Sequence, residues 1–216
     1  MVFQNKPFNP ILHLEILNKA LEFTHCAINI REATHHSLKP VKWEKPAIGW
    51  RKLNSDGSSL GNPGRAGGGG LIQDEEGNWV LGYSRQIDIT LSFIAELWAL
   101  RDGFMLCVDR NFSTVIVEMD AKVIIEVLNN PNNTNLIISS IADDCRKLAS
   151  QIPRIRFDHC YREANRSANT LARMGAQQSS SFSLYTSPPE DVIPLLEFDN
   201  SDLYVNRRCP VTLVNF

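Results

Sequence analysis

Three of the 24 acidic residues in this 216-residue chain stand where carboxylates can do chemistry. Asp56 closes a short strand-like stretch, WRKLNSDG. Glu96 falls in the first turn of a strongly apolar helical run, and Asp120 ends the stretch TVIVEMD. Strand ends and helix starts meet along one edge of a sheet, so the three groups are expected to converge there. Gathered carboxylates raise one another's pKa, and such a group is stable mainly when a divalent cation neutralises it. Oxygen ligands suit Mg2+ or Mn2+. Spacing alone leaves a second reading open, in which these are three solvated surface acids.

Other reactive patterns are weaker. The glycine-rich stretch from Gly61 to Gly70 is not followed by Gly-Lys-Ser/Thr and runs into Leu71-Ile72, which reads as a strand, so P-loop chemistry is disfavoured. Glycines there admit either a close backbone approach by nucleic acid or a plain bulged hairpin. Arg154, Arg156, Arg162, Arg166 and Arg173 face only Asp158 and Glu163 in sequence, a candidate phosphate-facing patch or a solvated surface. The five cysteines are scattered without C-x-x-C spacing, which argues against a disulfide framework or zinc site. The five histidines are dispersed as well.

The elements that must position the acids follow from periodicity. Phe93, Leu97, Leu100 and Phe104 mark one face of a helix over Ser92–Val108. TVIVEM is a nearly continuous apolar run, as a strand buried on both faces requires, and AKVIIEVLN after it reads as a helix. Glu76-Gly77-Asn78 suits a hairpin turn. Further helices are expected over Leu136–Ser150 and Ala164–Ala176, with RIRFDHCY as a strand between them. Upstream, Ile11, Leu14, Leu17 and Leu21 outline an amphipathic helix. A Pro/Lys-containing extended connector leads from it to residue 48. The expected division is 1–48 for helix and linker, 49–178 for an α/β domain, and 179–216 for an acidic, Ser/Pro-containing, loosely attached tail.

Composition bounds the function. Lys+Arg 22 against Asp+Glu 24 gives a net charge of -2, so nucleic-acid binding would have to use a local patch. No apolar run approaches the roughly 18 residues of a membrane span, and Glu15 and Lys19 interrupt the first apolar stretch. No membrane partner and an intracellular location are expected.

LNSDGSSLGNPGRAGGGGLI, IAELWALRDG, VIVEMD and REANRSANTLARMGA occur in that order. Together they resemble the type 1 ribonuclease H family, in its plant branch related to the C-terminal domains of non-LTR retrotransposon polyproteins. The resemblance covers roughly 49–178 and implies a mixed five-stranded α/β sheet with helices on both faces. It further implies two divalent ions, Mg2+ or Mn2+, that activate water and stabilise the leaving 3′ oxygen as the RNA strand of an RNA–DNA hybrid is cut. By motif, Asp56 resembles the carboxylate shared by both ions, and Glu96 and Asp120 resemble ligands of the ion beside the leaving group. The fourth acid of the pattern is replaced by Asn169, which keeps an oxygen ligand without its charge and weakens the water-activating ion. Gly57, Ser58, Asn62, Ser92 and Arg162 match positions near the nucleic acid, with Arg162 ranked above His159 for phosphate contact. Two functions follow: a metal-dependent hybrid endonuclease, or a nucleic-acid-binding or interaction module with weak or no catalysis.

Overall fold

Residues 36–61, 63–129, 136–201 and 203–210 are described by the computed structural model. The chain runs through β1 (His36–Val41), β2 (Arg51–Gly61), β3 (Gly64–Gln73), β4 (Trp79–Thr90), α1 (Ser92–Asp109), β5 (Thr114–Met119), α2 (Lys122–Asn129) and α3 (Leu136–Ala149). It continues through β6 (Arg154–His159), a 3-10 turn (Arg162–Ala164), α4 (Arg166–Gln177), β7 (Phe182–Tyr185), α5 (Ile193–Asn200) and β8 (Val205–Pro210). The main sheet has the order β6-β5-β2-β3-β4-β7, and β1 pairs with β8 in a separate two-stranded ribbon. β2, β3, β4 and β7 are antiparallel neighbours, whereas β5 and β6 run parallel to β2. This is a mixed α/β sheet of the ribonuclease H type, with six strands where five were expected.

Sequence chemistry explains the central layers. Val115, Ile116, Val117 and Met119 of β5 are all buried, as an interior parallel strand requires. The apolar face of α1 is buried through Phe93, Leu97, Leu100 and Phe104, and it joins Leu53, Ile72, Tyr83 and Val117 in the main core. Gly77, at a φ of +83°, closes the β3–β4 turn, where the Asp74 carboxylate accepts the Asn78 amide at 2.8 Å.

The glycines of β3 serve packing on both faces. A Cβ at Gly69 would overlap the Ala172 amide nitrogen of α4, and one at Gly68 would press on Ala99 of α1 at 3.1 Å. Alternate residues of the strand thus meet helices on opposite faces. The stretch is the second strand of an antiparallel hairpin with β2, closing at Gly61↔Gly64 and irregular in register at Arg65/Ala66. At Gly67, Gly68 and Gly69 the close approach that glycine admits is made by the chain's own helices.

The segment expected to be a loose tail is tied down at three places. β7 extends the main sheet by pairing Phe182–Tyr185 with Gly82–Arg85. Around α5, Val192 and Leu196 pack against Leu71, Ala168 and Leu171. β8 pairs along its length with β1, so part of the expected connector is a strand whose Pro40 sits in a two-stranded ribbon, where proline is tolerated. Short apolar teeth in a polar, proline-containing context hide these attachments from periodicity. The amphipathic helix expected over 11–33 and the candidate Asn62 lie outside the described residues.

Candidate metal centre

β2 places Asp56 within its length rather than at its end, since the strand runs on to Gly61. The parallel register Asn54↔Glu118 between β2 and β5 carries Asp56 and Asp120, each two residues on, to the same side of adjacent strands. Glu96 is in the second turn of α1, not the first, because the helix starts at Ser92. α1 comes close enough because position 57 lacks a side chain: a Cβ there would overlap the Glu96 amide nitrogen. One carboxylate oxygen from each of Asp56, Glu96 and Asp120 lies within 4.8 Å of the others.

The electrostatics of this group favour cation binding. Burial, followed by the charge of Asp120, holds the Asp56 carboxyl well above its ordinary pKa, while the Asn169 hydrogen bond and Arg162 oppose the shift. Burial, then Asp56 and Asp120, does the same to Glu96, opposed by the hydrogen bond from the Gly57 amide. The other Glu96 oxygen, Oε2, is buried without a hydrogen-bond partner. A buried carboxylate oxygen left unpaired costs about 1–3 kcal/mol or more. Protonation or a hard divalent cation removes that cost, and an all-oxygen set suits Mg2+ or Mn2+. The residues present therefore fit the ion that the fold type implies.

Asn169 reaches the same group from α4, its Nδ2 donating to Asp56 Oδ2 at 2.6 Å. A half-turn of this amide exchanges Nδ2 for Oδ1, which can ligate a cation without adding charge. Arg162 is 72 % exposed, and its Nε lies 3.9 Å from Asp120 Oδ2. His159 Nε2 lies 3.2 Å from the Asp120 carbonyl oxygen, and burial together with Lys122 lowers its pKa. Ser58 and Ser92 are half-buried near the β2 and α1 ends of the group, whereas Gly57 is buried with its amide engaged by Glu96. Gly57 thus acts on the site through packing.

The arginine-rich segment does not form one patch. Arg154 stacks over Trp50, Arg156 pairs with Asp158, and Arg166 lies over Phe198 and 3.5 Å from Asp199. Of these side chains, only Arg162 pairs with an acid of the carboxylate group.

Sequence reasoning missed the brace behind Asp56. Trp43 Nε1 donates to Asn54 Oδ1 at 2.9 Å, Asn54 Nδ2 donates to Asn165 Oδ1 at 3.2 Å, and Asn165 Nδ2 donates to the Ser55 carbonyl at 3.0 Å. The chain links the connector, β2 and the start of α4, and so sets where Asn169 meets Asp56. Its available signal was weak, since Asn54 lies among the polar residues Lys52, Ser55 and Asp56 of β2 and nothing local sets it apart.

Comparison with known proteins agrees with the fold. Residues 54–175 match the model of the family described as reverse transcriptase-like. A protein of Arabidopsis thaliana, provisionally named a ribonuclease H protein, is 33% identical over 159 residues, covering 74% of this chain and 26% of its own length. The chain thus spans about a quarter of that relative. The solved N-terminal RNase H domain of a Mycobacterium tuberculosis protein superposes with a TM-score of 0.56 at 25% identity, over 59% of this chain and 94% of that one. A metagenomic RNase H1, solved in complex with an RNA/DNA hybrid, gives 0.51 at 26% identity over 59% and 96%.

Proposed function

Because the chain belongs to the reverse transcriptase-like family and carries the ribonuclease H type of fold, we propose that it is a divalent-metal-dependent endonuclease cutting the RNA strand of RNA–DNA hybrids. The observation that carries this reading is the convergence of Asp56, Glu96 and Asp120 within 4.8 Å, with Glu96 Oε2 buried and unpartnered. Asp56, Glu96 and Asp120, with Asn169, would hold one or two Mg2+ or Mn2+ ions. When bound, such ions lower the pKa of water and stabilise charge on the leaving oxygen.

The chain's own groups have separable tasks. Asp56 and Glu96, whose protonated forms burial favours, release protons when the cation binds, so binding strengthens as pH rises. Arg162, exposed beside Asp120, offers a bidentate donor to a backbone phosphate. Ser58, Asn62 and Ser92 are the candidates for contacts to the hybrid's sugars, where the 2′-hydroxyl separates RNA from DNA. Gly57 contributes by letting α1 carry Glu96 to Asp56.

A hybrid with labelled RNA, incubated with Mg2+ or Mn2+, tests the proposal. Internal cuts in RNA, with duplex DNA intact, are expected. Folded protein that leaves the hybrid whole in both metals overturns it. The Asn169 amide bonded to Asp56 favours a second reading, hybrid binding without turnover. Restoration of cutting by Asn169→Asp in an otherwise silent protein would identify it.

A further inference from the structure

The terminal ribbon and the cavity beneath it are not used by the site described above. α4 packs over β2, β3 and β4. Beyond α4, the connector and ribbon approach the β6 end of the sheet, where Val41 and Trp43 pack on Cys160 and Ala164. Between these layers lies a cavity of about 690 Å³, whose lining mixes the bases Lys39, Lys45 and Arg156 with the acids Glu44, Glu118 and Asp158. Its size falls within the usual range for ligand sites, roughly 300–1,000 Å³.

The ribbon itself presents cations in an unusual way. Lys39 of β1 stands directly opposite Arg207 of β8. Like charges at opposed strand positions destabilise a ribbon. Tyr161 offsets part of that repulsion: Lys39 Nζ and Arg207 Cζ each lie 4.7 Å from its ring centroid, and Lys39 donates to its hydroxyl at 3.2 Å. Arg207 also meets Glu163 at 2.8 Å, but no carboxylate among the described residues pairs with Lys39. With Glu163 binding Arg207 through both oxygens, at 3.0 and 2.8 Å, the cluster keeps one net positive charge, and its exposed Lys39 over the aromatic ring matches a polyanion.

The patch is continuous with the carboxylates. The Tyr161 ring lies 5.5 Å from that of His159, edge to face, and His159 reaches the Asp120 carbonyl at 3.2 Å. Arg162, one residue after Tyr161, spans the same interval on the exposed side. Lys39 and Arg207 lie outside residues 54–175, the part matched by the family model.

We propose that the β1–β8 ribbon is a second nucleic-acid contact, in which Lys39 and Arg207 grip the phosphodiester backbone of the strand that runs from the carboxylate site across His159 and Tyr161. This rests on the proposed function, since the strand is the one bound at Asp120. In a chain of net charge -2 such binding needs a local positive surface, to which the ribbon contributes, and the exposed Tyr204 offers a ring on which an unpaired base can stack.

The test is fluorescence anisotropy of a labelled hybrid in Ca2+ between 50 and 200 mM salt, using the full chain. Each phosphate contact contributes about 0.9 to the salt slope on a duplex. Lys39→Gln/Arg207→Gln should therefore lower the slope by about two, making its affinity deficit about tenfold larger at 50 mM than at 200 mM. Lys39→Gln alone, which breaks no ion pair, should show about half the change in slope. A hybrid truncated at the cut site on the ribbon side should bind wild type and both variants alike. If wild type binds but the variants keep its slope, the ribbon proposal fails while the site reading stands. If wild type binds neither hybrid, both fail.

Discussion

Replacing Asn169 with aspartate restores a charge at the place where the chain departs from an all-acidic site. The Asn169 Nδ2 atom lies 2.6 Å from Asp56 Oδ2, so the new carboxylate meets a buried one whose protonated form is already favoured. Two unit charges 4 Å apart repel by about 4 kcal/mol at an effective dielectric of 20. Protonation caps the cost at a similar figure, since raising a carboxyl pKa from about 4 to 7 takes about 4 kcal/mol. Asn169 is half-exposed, so some repulsion relaxes into solvent. In chelator the variant should therefore be about 2–4 kcal/mol less stable than wild type, a fall of about 5–15 °C in melting temperature for a protein of this size. Saturating Mn2+ should recover that loss and raise the variant's midpoint further than the wild type's, while hybrid cleavage increases. Melts by differential scanning fluorimetry across a Mn2+ titration read both effects. Identical melting of the two proteins in chelator, with equal Mn2+ shifts, would refute the placement of Asn169 in a cation site.

Other consequences are independent of that substitution. Glu96→Gln removes a buried carboxyl with an unpartnered oxygen, so it should stabilise the chelated protein by about 1–2 kcal/mol and abolish its stabilisation by Mn2+, both visible in the same melts. Asp199, buried where α5 meets α4 and accepting from Ser167 Oγ at 3.2 Å, has its pKa pushed up to about 6 chiefly by burial. A raised acid pKa adds stability that is complete below the unfolded value and is lost as pH rises through the folded one. Wild type should therefore lose about 1.4 kcal/mol between pH 5 and pH 8 that Asp199→Asn does not, measured by urea unfolding. Gly69→Ala, whose methyl would overlap the backbone of α4, should cost more than about 3 kcal/mol or prevent folding, read by circular dichroism.

The parts of the fold legible in sequence are those governed by local periodicity. The four-, three- and four-residue spacing of Phe93, Leu97, Leu100 and Phe104 gives α1 within one residue of its observed end, and TVIVEM is β5. The three acids stand out because motif order, rather than spacing, marks them, and the structure brings their oxygens together. What escaped is long-range. The pairing of Lys39 with Arg207 joins strands at opposite ends of the described chain, and nothing local encodes that register. β7 is four residues of ordinary polarity whose strand character comes from the open edge of β4. The arginines of 154–173 are close in sequence but alternate around a strand, a 3-10 turn and a helix, so they scatter. The Trp43–Asn54–Asn165 brace depends on three segments meeting, which only tertiary packing decides.

The most direct measurement is anomalous scattering at the manganese edge from crystals of the protein soaked in MnCl2. A peak bounded by the side-chain oxygens of Asp56, Glu96 and Asp120, absent from Asp56→Asn crystals grown alike, is the expected result. Clear density for the three carboxylates with no manganese peak among them at saturating concentration would contradict it.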